Sequence, residues 1–283
     1  MAGFQPIAGV DFDLTAIQVY QANFPGAQVH QQNLLEFQWE KLLEVPDVLI
    51  ASPDCRGHSE ARGGYEGAQS EASRSTPNAV ADAVEILRPP FFVVENVLGI
   101  RRWKGYGAWK TQLRANGYAL DEYVIDAADL GVPQTRKRIF IIGNRGRHPM
   151  GINIPKMERV GAHTIIDEHA TGWSRWEDLV PKTVSRVRIA IKKYGEQCVV
   201  IQNGRSIGSS LDQPIGALTR IPTTNWVRGD LIRWINVNEC RLAMGCPPEF
   251  RLPESKSMAK AFLGKGVCPP VAKHIAEEIL RCA

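Results

Sequence analysis

Leu49-Ile50-Ala51-Ser52-Pro53-Asp54-Cys55-Arg56-Gly57-His58-Ser59 is the stretch on which the reading of this chain turns. The apolar run Val48 to Ala51 predicts a short buried strand, and Ser-Pro-Asp breaks it into a loop that presents one cysteine. Further along, Phe91-Phe92-Val93-Val94-Glu95-Asn96-Val97 repeats the arrangement, an apolar strand with a carboxylate at its C-terminal end. In open α/β sheets, reactive groups gather at the carboxyl ends of strands. A thiol and a carboxylate delivered there together point to a covalent enzyme. A third unit, Gly131 to Ile142, places Arg136 and Arg138 just before another apolar strand.

These three stretches, in this order, resemble the DNA cytosine-5 methyltransferases. The motifs of that family are Pro-Cys after a strand, Glu-Asn-Val after the next, and Gln-x-Arg-x-Arg before a third. The last two match without change, whereas Asp54 stands where the family usually has proline before the cysteine. The resemblance runs from Gly9 to the end of the chain. It implies an α/β fold, a doubly wound mixed sheet of the S-adenosylmethionine-dependent methyltransferase type with a small inserted target-recognition domain. The expected division is 1–144 for catalysis and cofactor, 145–235 for target recognition, and 236–283 for a segment returning to the catalytic domain.

Composition agrees with one large and one smaller domain. The chain has 283 residues, 44% hydrophobic and 23% charged, which is ordinary for a globular protein with ample core. It has no apolar run near the length of a membrane span and no N-terminal signal segment, so no membrane partner is expected. With the resemblance, this places it in the cytoplasm of a bacterial or phage-infected cell. The six cysteines show no Cys-x-x-Cys spacing, which argues against a metal site and for reduced thiols. A net charge of +4 permits a polyanionic partner without demanding one.

Gly9 to Tyr20 reads as a strand end running into a helix that stops at Asn23-Phe24-Pro25-Gly26. Asp11 is, on its residues alone, either a ribose acceptor at a strand end or a helix N-cap. The resemblance implies that Asp11 and Phe12 hold the ribose and adenine of S-adenosylmethionine. It puts Asn33, Leu34, Pro53, Lys265 and Val267 in the same cofactor set. The family also begins with a strand and a Phe-x-Gly-x-Gly loop, whereas Met1 to Ile7 looks like the end of the helix that follows that loop. The first strand is therefore expected from an upstream start or from a partner polypeptide, with a shortened, inactive relative as the alternative.

Gly57 to Ser75 is rich in Gly, Ser and charge and reads as a mobile loop, followed by a helix over 78–87. Arg56, His58, Ser59 and Arg74 are the DNA-contact candidates there. A helix and a turn are expected between Trp103 and Tyr118. From Arg145 to Ile235, short β-like runs mix with Gly, Pro and the basic cluster Lys182 to Lys193. The family places its DNA-reading domain here, and Thr219, Arg220 and Thr223 resemble its target-backbone segment. Ile235 to Phe250 predicts a helix capped by Asn236 or Asn238 with an apolar stripe at Cys240, Leu242 and Met244. Cys240, Cys246 and Cys268 read as small buried residues.

The chemistry follows from the residue types. Carbon 5 of cytosine is a poor nucleophile, and thiolate addition at carbon 6 makes it an enamine carbon that can attack a methyl group. A free thiol with a pKa near ~8.5 is sparsely ionised at neutral pH, so neighbouring arginines help. Cys55 is the expected nucleophile, Glu95 the proton donor to ring nitrogen 3, and Arg138 the holder of the base carbonyl. Arg136 is expected to brace the cysteine loop or a phosphate. The base must leave the stack of double-stranded DNA, on which the protein is expected to act as a monomer.

Lys265 stands where the family has an asparagine close to the transferred group. Two like charges about 4 Å apart repel by about 4 kcal/mol at an effective dielectric near 20. Pairing with Asp54 would offset the repulsion, and so would a carboxylate on the cofactor. Carboxy-S-adenosylmethionine, giving carboxymethyl transfer to cytosine, is thus an alternative reading, beside tRNA cytosine methylation and an inactive DNA-binding relative.

Overall fold

The structure is a computed structural model that describes residues 2–54, 68–202, 204 and 206–282; of residues 68–75 only the backbone is described. It contains two compact units, one of 1–125, 137–153 and 275–283, the other of 126–136 and 154–274.

In the first unit, β1 (Ala8–Asp11), α1 (Leu14–Asn23) and β2 (Gln28–Gln31) make a parallel pair with a crossover helix, Asp11 opposite Gln31. Asp13 caps α1, accepting the Thr15 N–H at 3.0 Å. β3 (Val48–Ala51), α2 (Ala68–Leu87) and β4 (Phe91–Asn96) repeat the pattern, with Ala51 opposite Val94. After α3 (Tyr106–Ala115) come β5 (Ala119–Asp126) and β7 (Lys137–Asn144), with the short β6 (Gln134–Thr135) between them belonging to the second unit. The second ladder has the order β3-β4-β7-β5, with β4 and β7 antiparallel, so the sheet is mixed.

Period-two alternation decides which face of the sheet a side chain takes, and both faces of β4 and β7 are buried. Phe92 and Val94 of β4, with Ile139 and Ile141 of β7, pack against Val80 and Val84 of α2 and Trp109 and Leu113 of α3. Each such side chain contributes about 1.5–3 kcal/mol on leaving water. Trp109 also donates its indole N–H to the Pro77 carbonyl at 2.8 Å, tying α3 to α2.

Two expectations change here. The helix expected over 78–87 already begins at Ala68, so residues 68–75 are helical and the loop reading does not hold for them. The strand Val48–Ala51 forms, but as the end strand of its ladder, and Ile50 is 70% exposed rather than buried. β1 and β2 form a ladder separate from β3-β4-β7-β5.

In the second unit, β8 (Ser174–Arg175) and α4 (Pro181–Tyr194) precede β9 (Gln197–Ile201), β10 (Gly208–Ser210) and β11 (Ile215–Gly216). β12 (Thr224–Arg228) and β13 (Leu231–Trp234) complete an antiparallel sheet of order β10-β9-β12-β13-β8. The basic cluster is α4 itself, started by Pro181. Its Val187 and Ala190 pack on Cys198, Val200, Val227 and Ile232, while Lys182, Arg188, Lys192 and Lys193 stay exposed.

α5 (Val237–Ala243) is capped by Asn236 through a reciprocal capping box with Glu239. Its buried face carries Cys240 and Ala243, continued by Met244, whereas Leu242 is 43% exposed and leaves the expected stripe. α6 (Lys256–Lys265) and α7 (Pro269–Cys282) close the chain. The units cut across the expected boundaries at 144 and 235. Residues 126–136 group with the second unit because β6 pairs in parallel with β11, and of 236–283 only 275–283 groups with the first unit.

Candidate active site

β3 and β4 run in parallel and end side by side, so the loop that carries Cys55 and the carboxylate of Glu95 leave the same end of the sheet. β7 enters from that end because it is antiparallel to β4, with Asn96 opposite Ile139. Arg138, the neighbour of Ile139, therefore reaches Glu95, its Nε 3.0 Å from Glu95 Oε1. Glu95 is 8% exposed. A carboxylate so far from water needs a cation or strong donors, and the guanidinium supplies both.

Asn96 was not anticipated as a working residue. It is 1% exposed, and its Nδ2 donates to the Pro53 carbonyl at 3.0 Å, fixing the loop two residues before Cys55. Its place directly after the carboxylate at a strand end was the available signal. Cys55, Arg56, His58 and Ser59 lie outside the described residues, and Arg74 lies on the part of α2 whose side chains are not described.

The thiols that are described narrow the choice of nucleophile. Burial pushes Cys198 up to about 11 and Cys240 up to about 12, and raises Cys246. Those groups stay protonated at neutral pH. Cys268 is buried as well, and Cys282 is an exposed residue at the chain terminus. Among the described residues, no group of His, Cys, Asp and Glu side chains is arranged to hold a metal ion.

The cofactor candidates of the first unit sit at strand ends. Asp11 closes β1, and one of its carboxylate oxygens accepts the Asp13 N–H at 2.9 Å. The N-cap role considered for Asp11 belongs to Asp13. Phe12 presents its ring to solvent, 62% exposed, a costly placement that an aromatic ligand would relieve. Asn33 is exposed beyond the end of β2, with its Oδ1 accepting the Leu35 N–H at 3.2 Å; Leu34 is half-buried and Pro53 buried.

In the second unit, Arg136 is not where a phosphate contact was expected. It is 2% exposed and donates to the carbonyls of Leu218 at 2.8 Å and Gly264 at 3.0 Å. Gln134, fully buried, accepts the Leu218 N–H at 2.7 Å and donates to the Ala243 carbonyl at 2.9 Å. Asp126 accepts the Arg136 N–H at 2.9 Å. The motif residues before β7 are thus internal struts as well as a source of Arg138. Thr219 and Arg220 are exposed, the Thr219 hydroxyl donating to the Ile221 carbonyl at 2.7 Å. Thr223 is half-buried; its carbonyl accepts the Gln202 N–H at 2.9 Å. Lys265 is the exposed last residue of α6, and Val267 is half-buried.

The mixed α/β fold is of the S-adenosylmethionine-dependent methyltransferase type. Mutant Spodoptera frugiperda DNMT2 shares it with a TM-score of 0.68 at 18% identity, over 98% of this chain and 91% of that one. The family model of C-5 cytosine-specific DNA methylases matches residues 1–169 and 155–281, and the chain belongs to that family. It is 33% identical to the type II methyltransferase M1.HphI of Haemophilus parahaemolyticus, over 99% of this chain and 82% of the relative. It is 27% identical to M.HgiDI of Herpetosiphon aurantiacus, another type II methyltransferase, over 98% of this chain and 88% of the relative. The chain is a DNA cytosine methyltransferase.

Proposed function

We propose that the chain methylates carbon 5 of cytosine in double-stranded DNA through a covalent adduct between Cys55 and a flipped base, acting as a monomer in the cytoplasm. The observation that carries this reading is the Glu95–Arg138 pair at the strand end next to the loop of Cys55. The Cys55 thiolate adds to carbon 6 while ring nitrogen 3 takes a proton from Glu95. Arg138 compensates the charge left on the carboxylate and is within reach to hold the base carbonyl. S-adenosylmethionine, held by Asp11, Phe12, Asn33 and Leu34, supplies the electrophilic methyl group. Loss of the carbon 5 proton to water, departure of the Cys55 thiolate and return of the nitrogen 3 proton to Glu95 then restore the aromatic ring and the enzyme. Arg56, His58, Ser59, Arg74, Thr219, Arg220 and Thr223 are assigned to DNA.

The second reading, in which the cofactor carries a carboxylate and a carboxymethyl group is transferred, rests on the lysine at position 265, the last residue of α6, where the family has an asparagine; a Lys265 turned outward or paired with Asp54 belongs to the first reading. Mass spectrometry of nucleosides from DNA of cells that express the chain separates the two. 5-Methylcytosine is the expected product; a carboxymethyl mass would establish the second reading, and unmodified DNA with DNA binding retained would point to a non-catalytic relative or to a chain awaiting a partner strand.

Among the described residues β1 and β2 pair only with each other and β3 ends its ladder, which supports one further component beside the single copy of this chain, a strand supplied by a partner polypeptide. Full methyl transfer by the purified chain alone would exclude it.

A further inference from the structure

The second unit holds a clamp built on the first arginine of the Gln-x-Arg-x-Arg motif. Arg136 reaches two carbonyls that are far apart in sequence, Leu218 O and Gly264 O, and its own backbone is fixed by Asp126. Gln134 fastens Leu218 a second time through its N–H. The two clamped segments also touch directly: a Cβ on Gly264 would lie 2.1 Å from the Thr219 carbonyl oxygen, a clash no ordinary side chain escapes. Leu218 precedes Thr219 and Arg220, assigned above to the target, and Gly264 precedes Lys265 and Val267, assigned to the cofactor. All the clamping groups are buried, where the loss of one donor leaves carbonyls unsatisfied and the segments free to separate.

From this we propose that Arg136 is a positioning residue that couples cofactor occupancy to target binding. By holding Leu218–Arg220 and Gly264–Lys265 as one piece, it lets order imposed on the cofactor-side turn pass to the target-side segment, and the reverse. The inference rests on the proposed function. Lysine is a poor substitute here, because the two carbonyls are served by two different nitrogens of the planar guanidinium, Nη1 and Nη2, and an ammonium has only one.

The test is the affinity for a duplex oligonucleotide with and without S-adenosylhomocysteine, in wild type, Arg136→Lys and Gly264→Ala, with thermal melting as the check on folding. Wild type is expected to bind DNA more tightly with the cofactor product by a factor of roughly 5–150. Both variants are expected to bring that ratio below about two, the one by opening the clamp and the other by wedging it apart. A merely structural role would lower stability and both affinities without changing the ratio. Amide exchange in the unaltered chain gives a second readout, in which S-adenosylhomocysteine should slow exchange at residues 218–220. Coupling undiminished in the variants, or no protection at 218–220, would overturn the inference alone. Failure of the wild type to bind DNA in either state would overturn the proposed function and this inference with it.

Discussion

Arg138 Nε lies 3.0 Å from Glu95 Oε1, a contact made because antiparallel pairing of β4 and β7 sets the last residues of one strand beside the first of the other. The carboxylate is nearly buried and the guanidinium side chain is 19% exposed, so the pair keeps limited access to solvent. If Glu95 passes a proton to the base, Glu95→Gln should lower kcat on the order of 10²–10⁴-fold with a smaller effect on DNA affinity. Single-turnover methyl transfer beside a binding titration checks this. A kcat within threefold of wild type would remove Glu95 from the chemistry.

Asn96 should matter as much for stability as for rate. Asn96→Ala leaves the Pro53 carbonyl without its buried donor, at a cost of about 1–3 kcal/mol. It also releases the root of the Cys55 loop. Urea denaturation should show the loss, and kcat should fall further than KM rises.

Phe12 is expected to behave in the opposite way. Its ring is 62% exposed, so Phe12→Ala should change stability by no more than about 0.5 kcal/mol. Loss of stacking on the adenine, worth about 1–3 kcal/mol, should weaken S-adenosylmethionine binding roughly 5–150-fold in calorimetry. Unchanged cofactor affinity would move the adenine site elsewhere.

The second unit should show an acid limit set by Glu239. Burial alone would raise its pKa. Hydrogen bonds from Arg233, the Asp167 and Asn236 amides and the Trp226 indole outweigh burial and hold it below the ordinary 4.5. A carboxylate lowered in the folded state stabilises fully above its unfolded value, and the contribution fades as pH falls through the folded value. Stability should therefore drop below about pH 4.5 in wild type. Glu239→Gln should cost about 3–5 kcal/mol at pH 7 by stranding Arg233, and should flatten that part of the acid profile.

The strands that carry the chemistry were legible in the sequence, because an apolar run bounded by Pro or by a polar motif has few other readings. Val48–Ala51, Phe91–Asn96 and the strand after Arg138 all form. Ile50 was misread because hydropathy cannot tell a central strand from an end one; which edge is paired depends on chain segments remote in sequence. The start of α2 was misread because Gly, Ser and Glu-rich composition hides a helix that its later apolar positions anchor. Asn236 was anticipated as one of two caps because a cap acts locally. Arg136 was expected to brace the cysteine loop or a phosphate, and nothing local in the sequence reveals that carbonyls 82 and 128 residues further along the chain enclose it.

The most direct measurement of the central claim is covalent trapping on a duplex in which 5-fluorocytosine replaces the target base. Fluorine cannot leave carbon 5 as a proton does, so methyl transfer proceeds and the Cys55–carbon 6 bond cannot be released. With S-adenosylmethionine, intact-mass spectrometry should show chain plus methylated duplex, the bond should map to the Cys55 peptide, and Cys55→Ser should form none. A methylated product with no adduct, or an adduct at a different cysteine, would contradict the account.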